Sequence, residues 1–510
     1  MGNTGRGDTE VSAAPLDPSR TSLTSRVAYG AGWIVGGRFV MGMFGFLNTI
    51  IVARLLAPED FGLVAIGVTA MQLLTNISDI GVSQAVIRFR DADRADLDTL
   101  FTLSALRGGL IALVMVLAAP LAVTFYHDQR VFWVFVGAAM HPLLLGLVNP
   151  RFFEFERNLD YSKEFFALIV NKIAGVVISI AIAVIYRSYW AIILGLVSSA
   201  AVQLALSYVM QPYRPRISFR SFRRILDFSG WLTGVGFMAA LNNKLDSMIL
   251  ARVIGKAGAG VYFIGQQLSE LPSREIAVPI TRAIYPGLSE LQGDPARMRA
   301  AFLRGVEALG AIAMPAAIGF ALVARDLTPL LLGDKWLAAV PVVEIMTPVM
   351  GVQMPLMATQ YYAMALGLTK LVFIRELIFF LVRTPVFVWA SIEHGLVGAA
   401  WAVAATGLVH IALNLALYAR ASGDSALAPM WRARRSIASS AAMAALLILL
   451  RRIGLVESAE PVIRLCAEIA AGAGAYIAVH AAFWRLEGMK DGVERSILHL
   501  GEQLLARARR

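Results

Sequence analysis

Residues 33–67 and 231–265 are one segment written twice, 198 positions apart and without a gap. In this register Trp33 falls on Trp231, Gly36 on Gly234, Phe39 on Phe237, Leu47 on Leu245, Arg54 on Arg252, Gly62 on Gly260 and Gly67 on Gly265. Each copy reads as a long apolar helix, a short turn and the start of a second helix. A repeat of this kind inside a membrane chain points to two like-built halves with a site between them, the layout of a carrier.

The membrane reading rests on composition. The chain is 58% hydrophobic and only 16% charged, with a mean hydropathy of +0.66, outside the range of soluble domains. Fourteen apolar stretches are long enough to cross a bilayer of about 30 Å. They lie near 29–54, 61–87, 99–125, 131–150, 165–186, 189–210, 228–254, 259–288, 302–324, 339–367, 371–392, 396–418, 436–456 and 462–483. The expected fold is therefore an all-α membrane protein of about 14 transmembrane helices. Six spans separate the start of one repeat copy from the start of the other, so both copies cross in the same direction. The halves are then parallel repeats: a six-helix lobe over 23–210, a second over 227–418, and an appended pair of spans within 419–485 around a central cavity.

Charge orients the chain. With the N-terminus in the cytoplasm, 29 lysines and arginines fall in loops on that side and 9 on the other. This obeys the positive-inside rule and places both termini in the cytoplasm. The formal charge of +11 is thereby accounted for without nucleic acid, and no nucleic-acid module is recognisable. Residues 1–22 read as a disordered polar tail without the order of a signal peptide, and 486–510 as a basic tail. The connector 211–226 carries five arginines and two prolines. It reads either as an interfacial amphipathic linker on which the lobes rock or as a positive-inside anchor alone. The single cysteine, Cys466, excludes an internal disulfide and supplies no thiolate metal site by itself. No cofactor is expected.

The runs IVARLLAPEDFGLVAIGVTAMQLLTNISDIGVSQAVIRF (51–89) and LDSMILARVIGKAGAGVYFIGQQLSELPSREIAVPITRAIYPGLSELQGD (245–294) resemble the signature segments of Wzx-type oligosaccharide flippases. These belong to the multidrug/oligosaccharidyl-lipid/polysaccharide exporter superfamily. LLLGDKW (330–336) is similar to a loop of the same family. The resemblance covers roughly residues 25–420. It implies two six-helix lobes around a cavity and a polyprenyl-pyrophosphate-linked sugar repeat unit as cargo, moved from the inner to the outer leaflet of a bacterial cytoplasmic membrane. It further implies work alongside a polysaccharide polymerase and a chain-length regulator, in exopolysaccharide, capsule or lipopolysaccharide O-antigen assembly.

Charges at membrane depth cost about 2.5–3.5 kcal/mol on insertion scales, so each needs a reason. Arg38, Arg107, Lys172, Lys244, Arg274, Arg282 and Arg383 lie well inside spans. The first six are candidates to bind the pyrophosphate, because arginine offers forked donors and lysine a point charge. In the first span, Arg38, Gly42, Gly45 and Thr49 share one helical face, a charge above a shelf of small residues as a cavity wall would have. The repeat partner of that face is Gly236, Ala240, Asn243 and Ser247, with Lys244 and Asp246 beside it. In the eighth span, Gln267, Arg274, Arg282 and Tyr285 lie near one face while Pro272, Pro279 and Pro286 interrupt the helix. The plainer reading is that Glu275 and other acids neutralise these cations. The first lobe, with Asp79 as its one intramembrane acid, keeps the larger positive surplus and is expected to hold most of the anion. Asp79, Glu307 and Glu344 are candidates for coupling to a proton or sodium gradient, or structural partners of nearby bases. His141, before Pro142, reads as a hydrogen-bonded structural residue.

Two rivals are weighed. A drug or cation exporter of the same fold would want a cavity of acids and aromatics, whereas the first lobe is basic. A membrane glycan polymerase would want a sizeable external loop, but HDQR (127–130), RSY (187–189) and EHG (393–395) are very short. The chain is expected to carry, not to catalyse.

Overall fold

The computed structural model describes residues 41–78, 94–157, 161–220, 230–291, 293–454 and 460–489, and within the described residues every regular element is a helix. The first half contributes α1 (Met41–Leu55), α2 (Pro58–Ile77), α3 (Arg94–Tyr126), α4 (Arg130–Gly146), α5 (Tyr161–Tyr186) and α6 (Trp190–Met210). The second contributes α7 (Gly230–Val253), α8 (Gly255–Ser269), α9 (Val278–Glu290), α10 (Pro295–Leu332), α11 (Val340–Gln353), α12 (Ala358–Ala365) and α13 (Thr369–Ser422). The last pair is α14 (Arg434–Arg452) and α15 (Pro461–Leu486). Each of the fourteen apolar stretches read from the sequence has a helical counterpart here.

The departures from simple spans have local causes. The eighth stretch is not one helix. It ends at Ser269, passes through a π-helical turn at Ser273–Ala277 and resumes as α9. Pro272 opens this turn and Pro279 follows it; a proline donates no backbone N–H, so regular pairing fails on both sides. The tenth stretch is broken in the same way, by a 3₁₀ turn at Met354–Met357 that contains Pro355. In α13 two spans run on without a loop, because Gly395 takes φ 60° and ψ −140° and reverses the chain in one residue. A side chain is strained in that left-handed region, which favours glycine.

The connector over 211–218 is extended rather than helical, and it is fastened to the first half. The Tyr213 hydroxyl donates to Asp98 Oδ1 at 2.6 Å, the Ser218 amide to the Thr102 hydroxyl at 3.0 Å, and Asn149 Nδ2 to the Gln211 carbonyl at 2.7 Å. Its residues 221–226 lie outside the described part.

The halves meet through repeat-equivalent helices. α2 crosses α8 where Gly62 faces the Lys256 carbonyl and Gly260 faces the Pro58 carbonyl. Pro58 and Lys256 are themselves repeat partners, so the contact is symmetric about an axis between the halves. A methyl group added at either glycine would lie 1.8 Å from the opposing carbonyl oxygen, so glycine is required at both for this approach. The second half also holds a buried polar core. Arg383 Nη2 bridges Asp246 Oδ2 at 2.6 Å, and the Tyr262 hydroxyl donates to the same oxygen at 2.7 Å. Arg375 pairs with Glu376, which accepts from Asn242 Nδ2 at 2.8 Å. These bonds tie α7 to α13.

Candidate functional site

A cavity of about 440 Å³ lies between the halves. Met41, Gly42, Gly45, Phe46 and Thr49 of α1 and Lys172 of α5 line it from the first half. Ile264, Gln267 and Leu268 of α8, then Leu271, Arg274 and Leu332, line it from the second. The glycine face of α1 has a specific use: both of its gaps seat charged side chains. A methyl at Gly45 would lie 3.3 Å from Lys172 Nζ, and one at Gly42 would lie 2.6 Å from Glu275 Oε2.

The two cations reach the cavity for different reasons. Lys172 sits near the middle of α5, half-buried, and among the described residues it has no carboxylate partner within salt-bridge range. Arg274 is thrown inward by the proline-bounded π turn. Its Nε meets Glu275 Oε1 at 2.8 Å, a pair half open to solvent, with the two side chains 49% and 34% exposed. That is the neutralising partner the plainer sequence reading named. The pair leaves Lys172 without a carboxylate of its own among the described residues, and the Arg274 charge acts on the Lys172 ammonium. Two basic side chains from opposite halves thus face one cavity.

The other sequence candidates fall elsewhere. Arg107 lines a separate cavity of about 330 Å³ inside the first half; the two cavities share no lining residue. Its Nη2 donates to the Thr75 carbonyl at 2.6 Å and its Nε to the Ser78 hydroxyl at 3.1 Å. Lys244 is half-buried on α7, is not among the residues lining the central cavity, and acts electrostatically on Glu270. Arg282 lies on α9, where only the backbone is described, and Arg38 and Asp79 lie outside the described residues. Glu307 is buried between Arg432 and Arg435, at 3.1 and 3.6 Å, an ion-paired position. Glu344 is exposed on α11, with Arg325 and Arg451 as its nearest charged influences.

One end of the cleft is sealed, and sequence reading gave no sign of how. Helix C-termini leave their last carbonyls unpaired, and here each half caps the other's. Arg54 at the end of α1 donates to the Leu330 and Leu331 carbonyls of α10 at 2.5 and 2.8 Å. Lys335 donates back to the Arg54 and Leu56 carbonyls at 2.9 and 2.6 Å, and Trp336 Nε1 to the Ala53 carbonyl at 2.9 Å. Trp336, read from sequence as a loop residue, is fully buried and meets Phe61 edge-on at 5.2 Å. Beside it, Asp128 of the first half binds Lys256 of the second at 2.6 Å and Arg130 at 2.9 Å, and Arg130 reaches Glu59 at 2.5 Å. Burial works against the Asp128 carboxylate, but the hydrogen bonds from Arg130 and Lys256 outweigh it and hold the group well below the usual carboxylate range.

Residues 51–341, more than half of the chain, match the family described as "Polysaccharide biosynthesis protein". The chain belongs to that family. This polysaccharide biosynthesis protein is 26% identical over 334 residues to the lipopolysaccharide biosynthesis protein WzxC of Escherichia coli strain K12, covering 64% of the present chain and 67% of that one. It is 24% identical over 379 residues to the succinoglycan biosynthesis transport protein ExoT of Rhizobium meliloti strain 1021, covering 73% and 76%. Among solved structures, the lipid II flippase MurJ in an inward closed conformation superposes with a TM-score of 0.69 over 88% of this chain and 98% of that chain, at 12% identity. An inward-facing multidrug resistance MATE transporter of the MOP superfamily gives 0.59 over 76% and 98%, at 15% identity. At such identities the likeness establishes the fold. The protein is thus a multi-pass membrane member of the polysaccharide biosynthesis group, built on a transporter fold.

Proposed function

We propose that this protein translocates a polyprenyl-pyrophosphate-linked oligosaccharide repeat unit across the bacterial cytoplasmic membrane, by alternating access. The observation that carries this reading is Lys172, without a carboxylate partner among the described residues, opposite Arg274 in a cavity formed by both halves. Lys172, Arg274 and its partner Glu275 together leave one positive charge in surplus, and a bound anion meets that surplus while gaining two charge-assisted partners. Because one cation belongs to each half, the anion's hold depends on how the halves sit, which links binding to rocking.

The surroundings suit an amphiphile. An apolar cavity of about 540 Å³ shares Gly42, Phe46 and Leu271 with the cationic one. It shares Ala316, Phe320 and Leu327 of α10 in turn with a third cavity, of about 470 Å³, against α14 and α15. A charged headgroup in the first and a prenyl chain along the others would need no apolar surface in water. By the charge rule the sealed end faces outward and the linker end the cytoplasm, so the conformation described would load from inside. A drug or cation exporter fits less well, since Glu275, beside the cavity, is already bound to Arg274.

The test is a strain whose polymer depends on this chain, carrying Lys172→Gln or Arg274→Gln. Polymer export should fall at least tenfold at normal protein level, with lipid-linked repeat units accumulating unflipped, measured by mass spectrometry of the lipid fraction. Undiminished export in both variants would remove the anion path.

A further inference from the structure

We infer that the Arg107 cavity is a second recognition site, which takes a sugar ring of the cargo through its hydroxyl groups, apart from the site that takes the phosphates. The inference rests on the function proposed above and deepens it. The cavity lies wholly within the first half, between the ends of α2, α3 and α4. Its wall is largely apolar, with the polar side chains Gln72, Thr75, Asn76, Ser104, Arg107 and His141 set into it.

Three of these side chains are unsatisfied. Among the described residues Gln72, Asn76 and His141 have no hydrogen-bond partner, whereas Ser104 is bonded within its own helix to the Leu100 carbonyl at 2.8 Å. The sequence reading of His141 as a hydrogen-bonded structural residue is therefore corrected: its ring faces the cavity unpaired. Two amides and an imidazole together offer both donors and acceptors, the mixed set that a hydroxylated ring requires and that a phosphate, which only accepts when ionised, does not. None of the three is fully buried, and around one space their open donors and acceptors suit an occupant that brings hydroxyl groups of its own.

The geometry is rigidly framed. α3 and α4 touch through Gly108 and Gly146, where an added methyl would lie 2.4 Å from the Pro142 carbonyl and 2.6 Å from the Ser104 carbonyl respectively. This contact forms part of the cavity wall and fixes the spacing of Ser104, Arg107 and His141. Arg107 is itself pinned by Thr75 and Ser78 on α2's last turns. Asn76 is exposed, so it can be changed without touching the packing.

The experiment uses the full-length chain in its host, with purified protein for binding. Gln72→Ala combined with Asn76→Ala should lower export at least fivefold and cause lipid-linked glycan to accumulate. The same purified variant should keep the thermal stabilisation given by inorganic pyrophosphate, which Lys172→Gln loses. His141→Gln, which preserves hydrogen bonding, should retain more export than His141→Leu. Normal export by the Gln72/Asn76 double variant would overturn the inference and leave the cavity to water. Equal export by His141→Gln and His141→Leu would overturn it too. If Lys172→Gln exports normally, the proposed function fails first and on its own evidence.

Discussion

In the second half, Arg383 and Asp246 close a bridge with side chains 9% and 4% exposed, and Arg375 closes another on Glu376. In the first half Lys172 has no such partner among the described residues, and His141, Gln72 and Asn76, none of them fully buried, stand unpaired around a cavity. The two halves share one repeated segment, yet the second closes Arg383 and Arg375 on buried carboxylates, whereas Lys172 of the first has no carboxylate partner among the described residues. The comparison assigns separate work. The paired half behaves as a rigid arm whose charges fix α7 against α13. The first half, under the function proposed above, keeps Lys172 open for the anion.

The largest effect should come from breaking the paired half. Arg383→Leu leaves Asp246 buried without its counter-charge, at a cost of about 3–5 kcal/mol; thermal unfolding in detergent should show a strongly lowered Tm and poor yield. Asp246→Leu with Arg383→Leu should recover much of that stability. A double variant as unstable as the single one would mean the bridge is not what holds the arm. In the open half the same kind of change should have the opposite signature: Lys172→Gln should leave the unfolding free energy within about 0.5 kcal/mol of the parent while abolishing transport.

The crossing of the halves offers an intermediate test. Gly62→Ala or Gly260→Ala pushes a methyl into a backbone carbonyl and should cost about 1–3 kcal/mol through loss of the close approach. In a Cys466→Ser background, a cysteine at Thr49 should then label faster with an impermeant thiol reagent from the sealed side. Unchanged labelling would show that the glycine crossing does not close that end.

The smallest effect concerns the salt bridges at the seal. Asp128→Asn should cost about 1 kcal/mol or less, as partly exposed pairs do. A carboxyl held below its unfolded value stabilises above that value, and its contribution fades only as pH falls through the lower folded one. Closure should accordingly be flat between pH 5 and 8. A labelling change in that window would point to another group.

Much of the site was legible in part. Helical spacing placed Gly42, Gly45 and Thr49 on one face, and hydropathy marked Lys172 and Arg274 as charges at membrane depth. Their convergence was not legible, because they stand in different halves and only packing brings α5 beside the π turn. Trp336, Lys335 and Arg54 looked like ordinary loop residues, since nothing local reveals that each half caps the other's helix end. His141 looked structural, because one histidine beside a proline carries no record of what its ring faces.

What the chain alone determined was the number and order of its apolar spans, the proline break in the eighth, and the existence of two like halves. These follow from short-range forces: apolar length against bilayer thickness, missing N–H groups, and periodicity along a helix. Tertiary structure decided which charges are spent on each other and which are left over. A salt bridge depends on distances between helices remote in sequence, and a few ångströms there separate a neutral core from a binding site.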